Sequence, residues 1–149
     1  MQAHFRGVRG VIGVSSNIPT INRLMAPITE GKAEVVYGVR SLERQKLVMR
    51  LGNQFIAFAT NLLYGQNLQD IETCYKMMRR DIALSLDLEC RRFDIEAEIT
   101  AKLLRARYTI YELPISYTAR YENKKLSPLD GLPALRALLK YWRWKAPAQ

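Results

Sequence analysis

The chain has 149 residues, 48% apolar and 25% charged, with 23 Lys and Arg against 14 Asp and Glu, a formal net charge of +9. That composition excludes a disordered, collagenous or disulfide-stapled polypeptide, and at this length one core forms but two full-sized domains do not. The only cysteines, Cys74 and Cys90, form no CxxC pair, and His4 is the only histidine. A zinc site, an iron–sulfur cluster and a histidine-based triad are therefore set aside, and a metal would have to be held by carboxylates, as Mg²⁺ or Mn²⁺ usually are. No secretory apolar stretch follows Met1, so a reducing, cytosolic setting is expected. The surplus positive charge suits nucleic acid, an anionic membrane surface or phosphorylated substrates.

Residues 1–20, with Gly7, Gly10, Gly13, Ser15, Ser16 and Pro19, have turn-like composition and are expected to be loosely held. A short helix broken near Pro27 is expected over 21–28, and the β-branched run 34–38, closed by Gly38, reads as a buried strand. Arg40, Arg44, Lys46 and Arg50 then form a basic loop or helix start. Guanidinium forks beside a strand end are suited to phosphate, while the plain alternative is a solvated basic loop. The longest uncharged stretch, 51–69, has the length of a membrane span but carries Asn53, Gln54, Thr60, Asn61, Gln66, Asn67 and Gln69, which argue against one. Within it Leu51, Phe55, Phe58 and Leu62 recur at helical spacing, with Ile56, Ala59 and Leu63 widening the stripe and the amides facing away, so an amphipathic helix is predicted over 51–63.

Gly65 and Asn67 end that helix. Asp70 and Glu72 follow a glycine- and amide-rich turn and precede a strand expected over 74–78, a usual place for active-site acids in α/β folds; the alternative is a turn-capping Asp beside a surface Glu. A short helix is expected over 82–86. Asp94 is placed to cap another, in which Ile95, Ile99 and Leu103 lie one turn apart and Glu98 can pair with Lys102. A strand is expected over 108–117, where Pro114 argues for an edge or end position. Lys124 and Lys125 sit in the loop before Asp130-Gly131, where they can close over an anionic ligand or simply solubilise the loop. The last helix, 131–145, carries one stripe of Leu132, Leu135, Leu139 and Trp142 beside a basic stripe of Arg136, Lys140 and Arg143, the pattern of a core face or of a membrane-surface helix. The D-x-E triplets at 70–72, 87–89 and 94–96 use too common a spacing to define a metal clamp by themselves.

Five ordered blocks carry a resemblance: Glu34-Val35-Val36-Tyr37-Gly38-Val39-Arg40, Thr60-Asn61-Leu62-Leu63-Tyr64-Gly65, Asp70-Ile71-Glu72-Thr73-Cys74-Tyr75-Lys76, Glu96-Ala97-Glu98-Ile99-Thr100-Ala101-Lys102 and Tyr111-Glu112-Leu113-Pro114-Ile115-Ser116-Tyr117. With Asn123-Lys124-Lys125 and Asp130-Gly131 behind them, they resemble the second half of family 2 glycosyltransferases of the polyprenol-phosphate (dolichol-phosphate) mannosyltransferase type, over about 21–144. The resemblance implies a GT-A, Rossmann-like α/β sheet that binds a nucleotide-sugar (GDP-mannose or a UDP-sugar) with a divalent metal, Mg²⁺ or Mn²⁺, and passes the sugar with inversion to a polyprenyl phosphate. It further implies that Arg40 and Arg50 meet the acceptor phosphate, that Asp70 is the catalytic acid beside the donor sugar, that Lys76 faces phosphate, and that Lys124 and Lys125 belong to a mobile loop near the acceptor.

Departures shape the expectation. The family's nucleotide-binding half and its D-x-D metal ligands have no counterpart in the chain, Val39 stands where a small hydroxyl residue often precedes the arginine, and the acceptor loop after Arg40 is shortened. The expected architecture is thus a partial GT-A fold lacking the N-terminal nucleotide-binding strands, with 1–20 unmatched and 21–149 forming the acceptor-side part. A bare sheet edge, marginal stability and a separately encoded first half are expected with it, in a cytoplasmic protein peripheral at the membrane face. The competing class is a non-catalytic peripheral membrane protein that uses the basic C-terminal helix. Nucleic-acid binding ranks last, because the cations are spread over several elements.

Overall fold

The computed structural model describes residues 18–41, 47–91, 94–116 and 131–146. The β-branched run forms strand β1 (Val35–Arg40) at the centre of a three-stranded sheet of order β2-β1-β3. Strand β2 (Lys76–Met78) pairs antiparallel with it, Val35 opposite Met78 and Tyr37 opposite Lys76; β3 (Ile110–Ile115) pairs parallel, Val35 opposite Ile110 and Arg40 opposite Ile115. Exposed Pro114 lies on β3, which pairs only with β1 among the described residues, the edge position that a residue without an N–H requires.

Successive strand residues point to opposite faces, and here both faces are covered. Val36 joins Met77 and Ile115 beneath α1 (Ile18–Thr29), which contributes Leu24 and Ile28. Val35 and Tyr37 enter the larger core on the other side, with α2 (Leu47–Tyr64), α3 (Arg80–Ser85), α4 (Ile95–Arg105) and α5 (Gly131–Tyr141). The result is a mixed α/β fold consistent with part of a Rossmann-like sheet. Gly38 is required by close approach: a Cβ there would stand 2.9 Å from both Ile115 Cγ2 and Tyr75 Cβ.

Several elements differ from the expectation. Helix α1 runs through Pro27 instead of breaking there. The Thr29 hydroxyl closes the last turn by donating to the carbonyls of Met25 (3.3 Å) and Ala26 (2.9 Å). Residues 18–20, expected to be loosely held, belong to α1 with Thr20 buried, and 1–17 lie outside the described residues. The 108–117 strand is shorter, and Tyr117 lies outside the described residues. Asp94 precedes α4 but makes no side-chain capping bond to it.

The Glu98–Lys102 pair forms at 2.7 Å, inside the core instead of on a helix surface, with side-chain exposures of 0% and 1%. Burial alone would raise the Glu98 pKa, but the Lys102 ammonium and the backbone N–H groups of Glu89 and Cys90 outweigh it and hold the group down at about 2. Lys102 also donates to the Asp87 carbonyl at 2.6 Å and lies over the rings of Tyr141 and Trp144.

Helix α2 reverses the ordinary placement of an apolar stripe. Leu51, Phe55, Phe58 and Leu62 are 56% to 73% exposed, whereas Ile56, Ala57 and Thr60 turn inward. Helix α5 does the same: Ala134, Ala137, Leu138 and Tyr141 are buried, and Leu132, Leu139 and Trp142 are exposed. Periodicity identifies a face, and the small inward residues allow close packing on the other one. No described helix is long and apolar enough to cross a membrane.

Candidate functional site

Strand β1 delivers Arg40 at its C-terminal end, beside the end of its parallel neighbour β3. Asp70 locks the guanidinium in a fork: Arg40 Nε donates to Oδ2 at 2.7 Å and Nη2 to Oδ1 at 2.8 Å, and the Arg40 backbone N–H donates to Oδ2 at 3.3 Å. The side chains are 11% and 1% exposed, so the pair is a desolvated, charge-assisted clamp.

The turn bearing Asp70 is itself tied down. Asn61 on α2 donates from Nδ2 to the Leu68 carbonyl at 2.9 Å and accepts the Leu68 N–H on Oδ1 at 2.8 Å, acting as an extra backbone rung. Glu112 on β3 accepts the N–H of Gln69 at 2.9 Å and of Asp70 at 3.3 Å on one carboxylate oxygen. Helix, turn and both parallel strands thus converge on Arg40. Sequence reasoning did not single out Asn61 or Glu112. The available signals were an amide inside a helix, where it is a poor former, and a charge inside a strand run.

A cleft of about 490 Å³ opens at this strand end, walled by Arg40, Ser41, Arg50, Gln54, Asn61 and Gln69, with Phe58 and Leu68 among its apolar residues. Two guanidinium groups and several amides around a shallow apolar cavity suit an anion carried on an apolar body. Arg40 and Arg50 line this cleft, and Asp70 reaches it only through Arg40. Lys124 and Lys125 lie outside the described residues.

Lys76 points elsewhere. Its ammonium, 3% exposed, donates to the carbonyls of Ile71 and Thr73 at 2.6 Å each and to the Glu96 carboxylate, and sits 4.8 Å from the centroid of the Tyr37 ring. The Tyr37 hydroxyl bonds Thr100 at 3.0 Å, and burial raises its pKa. Beside this group stands Glu72, whose Oε1 is buried without a hydrogen-bond partner. Burial pushes the Glu72 carboxyl up to about 7, against the opposing charge of Lys76. The sequence pattern read Glu72 with Asp70 as a candidate active-site acid, as one acid of a D-x-E triplet, or as a surface residue; the structure buries its carboxyl.

The divalent cation implied by the resemblance finds no fitting donor set among the described residues. No three His, Cys, Asp or Glu side chains converge there, and the carboxylate nearest the cleft is occupied by Arg40.

Fold and site give a mixed α/β chain, consistent with part of a Rossmann-like fold, whose cleft bearing Arg40 and Arg50 lies at parallel strand ends, the position where open α/β sheets usually bind ligands. Among curated proteins the chain is similar to the glycosyltransferase AglJ of Haloferax volcanii, with 28% identity over 116 residues that make up 73% of this chain and 38% of the relative. The match thus spans well under half of that relative's length. No family model matches the chain, and no solved structure does.

Proposed function

We propose that the chain is the acceptor-side part of a glycosyltransferase that passes a sugar from a nucleotide-sugar, GDP-mannose or a UDP-sugar, to a polyprenyl phosphate. The observation that carries this reading is the Asp70-locked guanidinium of Arg40 sharing one cleft with Arg50 at the strand ends. Similarity to a glycosyltransferase supports it. In this reaction an acceptor phosphate oxygen attacks the anomeric carbon. The new C–O bond forms as the bond to the departing nucleoside diphosphate breaks, with inversion.

The attacking oxygen is already anionic near neutral pH, so no strong general base is needed and the residues act by alignment and charge stabilisation. Arg40 and Arg50 hold the acceptor phosphate. Asp70 is a positioning residue that fixes the plane of the Arg40 guanidinium. Lys124 and Lys125, outside the described residues, are assigned to the acceptor by the family resemblance alone. Lys76, tied to internal oxygens, holds the turn that follows Asp70. The donor and any Mg²⁺ or Mn²⁺ are left to residues other than those assigned here, and no step of this chain's residues passes through the metal.

The test is transfer of labelled sugar from GDP-mannose or UDP-glucose to a short-chain polyprenyl phosphate, with and without an added donor half, alongside direct binding of prenyl phosphate. Expected are transfer only with the added half, and prenyl phosphate binding that Arg50→Ala weakens. Equal binding of prenyl phosphate and the uncharged prenol would overturn the assignment.

A further inference from the structure

We propose that Glu112 is a second positioning residue of the cleft: its carboxylate, reaching from β3, sets where Asp70 stands and so how Arg40 presents its guanidinium to a bound phosphate. The inference rests on the acceptor-side reading above for the ligand, and on the hydrogen bonds alone for the placement of Arg40.

The backbone between α2 and β2 has no regular pattern at this point. Residues 66–70 form neither helix nor strand, yet Leu68 and Asp70 are buried. The N–H groups of Leu68, Gln69 and Asp70 need partners, and each goes to a side chain on another element. That of Leu68 donates to Asn61 Oδ1 at 2.8 Å, and those of Gln69 and Asp70 donate to Glu112 Oε1 at 2.9 and 3.3 Å. Side chains therefore fix the place of Asp70.

The two anchors hold different ends of the segment. Asn61 grips Leu68 from both sides, since its Nδ2 also donates to the Leu68 carbonyl at 2.9 Å, and keeps the entry against α2. Glu112 holds the exit, where the charge is. It stands opposite Tyr37, three residues before Arg40 on β1, so the parallel pairing of β1 and β3 is what brings its carboxylate to the turn. Asp70 then gives both oxygens to Arg40, at 2.7 and 2.8 Å. Gln69, the other residue that Glu112 holds, lines the cleft with Arg40 and Arg50. One oxygen of Glu112 thus governs a wall of the cleft and the clamp behind its guanidinium. A fork of charge-assisted bonds is strict about plane and distance, so a small shift at Asp70 passes to Arg40.

This role requires reach and not charge. Two N–H groups converge on one sp² oxygen, which a carboxamide supplies as a carboxylate does, whereas an aspartate keeps the charge but is one methylene shorter. A general base or a metal ligand at this position would make the opposite demand.

The experiment compares the parent with Glu112→Gln, Glu112→Asp and Glu112→Ala by two readouts: calorimetric binding of farnesyl phosphate, and hydrogen exchange of the Arg40 Nε–H by heteronuclear NMR, its signal assigned by its loss in Arg40→Lys. Expected is binding weakened about tenfold in Glu112→Ala and Glu112→Asp, the factor that one hydrogen bond to a charged group carries, with Arg40 Nε–H exchange faster by a similar factor. Glu112→Gln should stay within about threefold of the parent in both. In an Asp70→Asn background, Glu112→Asp should change binding by less than about twofold, because its effect runs through Asp70; a merely structural loss would persist there. Should Glu112→Ala fail to fold, the Gln and Asp variants decide. The proposal is overturned if Glu112→Gln loses as much as Glu112→Asp or more, or if the Arg40 Nε–H exchanges alike in the parent and in folded Glu112→Asp. A parent that does not bind farnesyl phosphate removes the acceptor reading, and the Arg40 exchange then decides the role of Glu112 by itself.

Discussion

Replacing Asp70 by Asn tests whether the clamp positions Arg40. The substitution keeps the shape of the side chain and removes its charge, leaving a guanidinium that is 11% exposed facing an amide that cannot accept the same fork of bonds. Breaking a buried pair from one side costs about 3–5 kcal/mol where the remaining charge is fully enclosed. Arg40 borders an open cleft that water enters, which moves the expectation to about 2–3 kcal/mol. At roughly 2–4 °C per kcal/mol for a chain of this size, the melting temperature should fall by about 4–12 °C. Urea unfolding of the parent, Asp70→Asn, Arg40→Gln and the double variant gives the coupling directly. We expect an interaction energy above about 1 kcal/mol and weakened prenyl phosphate binding in both single variants. Additive single effects, or an Asp70→Asn variant within about 0.5 kcal/mol of the parent, would refute the reasoning.

Glu72 should make stability fall as pH rises: its carboxyl keeps its proton to about 7 in the fold and loses it near 4.5 when unfolded, so the cost grows across that window and is full above it. Glu72→Gln should therefore match the parent near pH 5 and be more stable by up to about 3 kcal/mol at pH 8, measured by urea unfolding at both; a pH-independent difference counts against it. Glu98 has the opposite sign. Its pKa of about 2 lies below the unfolded value of 4.5, so its contribution is present above 4.5 and vanishes as pH falls through 2. Glu98→Gln should destabilise by on the order of 3 kcal/mol at pH 7, with the gap closing in acid. Gly38→Ala should cost about 1–3 kcal/mol in thermal unfolding, because the added methyl meets Ile115 and Tyr75; an unchanged melting temperature would show that both neighbours yield.

The candidate site was partly legible in the chain. Arg40 beside a strand end and Asp70 after an amide-rich turn were readable because strand ends and turns leave local signatures. Their union across thirty residues was not, nor was the Glu112 carboxylate that ties the turn to β3, since both depend on which strands become neighbours. Lys76 shows the opposite error: a lysine near phosphate-seeking residues looks like a ligand group until the fold surrounds it with Ile71, Thr73 and Glu96.

The sequence by itself determined a strand over 34–38, which the structure carries on to Arg40, the helical periods of α2 and α5, the edge character of the proline-bearing strand and the cationic balance, because these follow from spacing and residue chemistry along a few turns of chain. Only the tertiary structure decided which face of each helix is wet. The stripes Leu51-Phe55-Phe58-Leu62 and Leu132-Leu139-Trp142 have the same period whether they meet a core or a solvent boundary, and the choice went to the faces bearing Ala57, Thr60, Ala134 and Ala137. Small side chains let those faces pack closely, leaving the larger apolar ones outward.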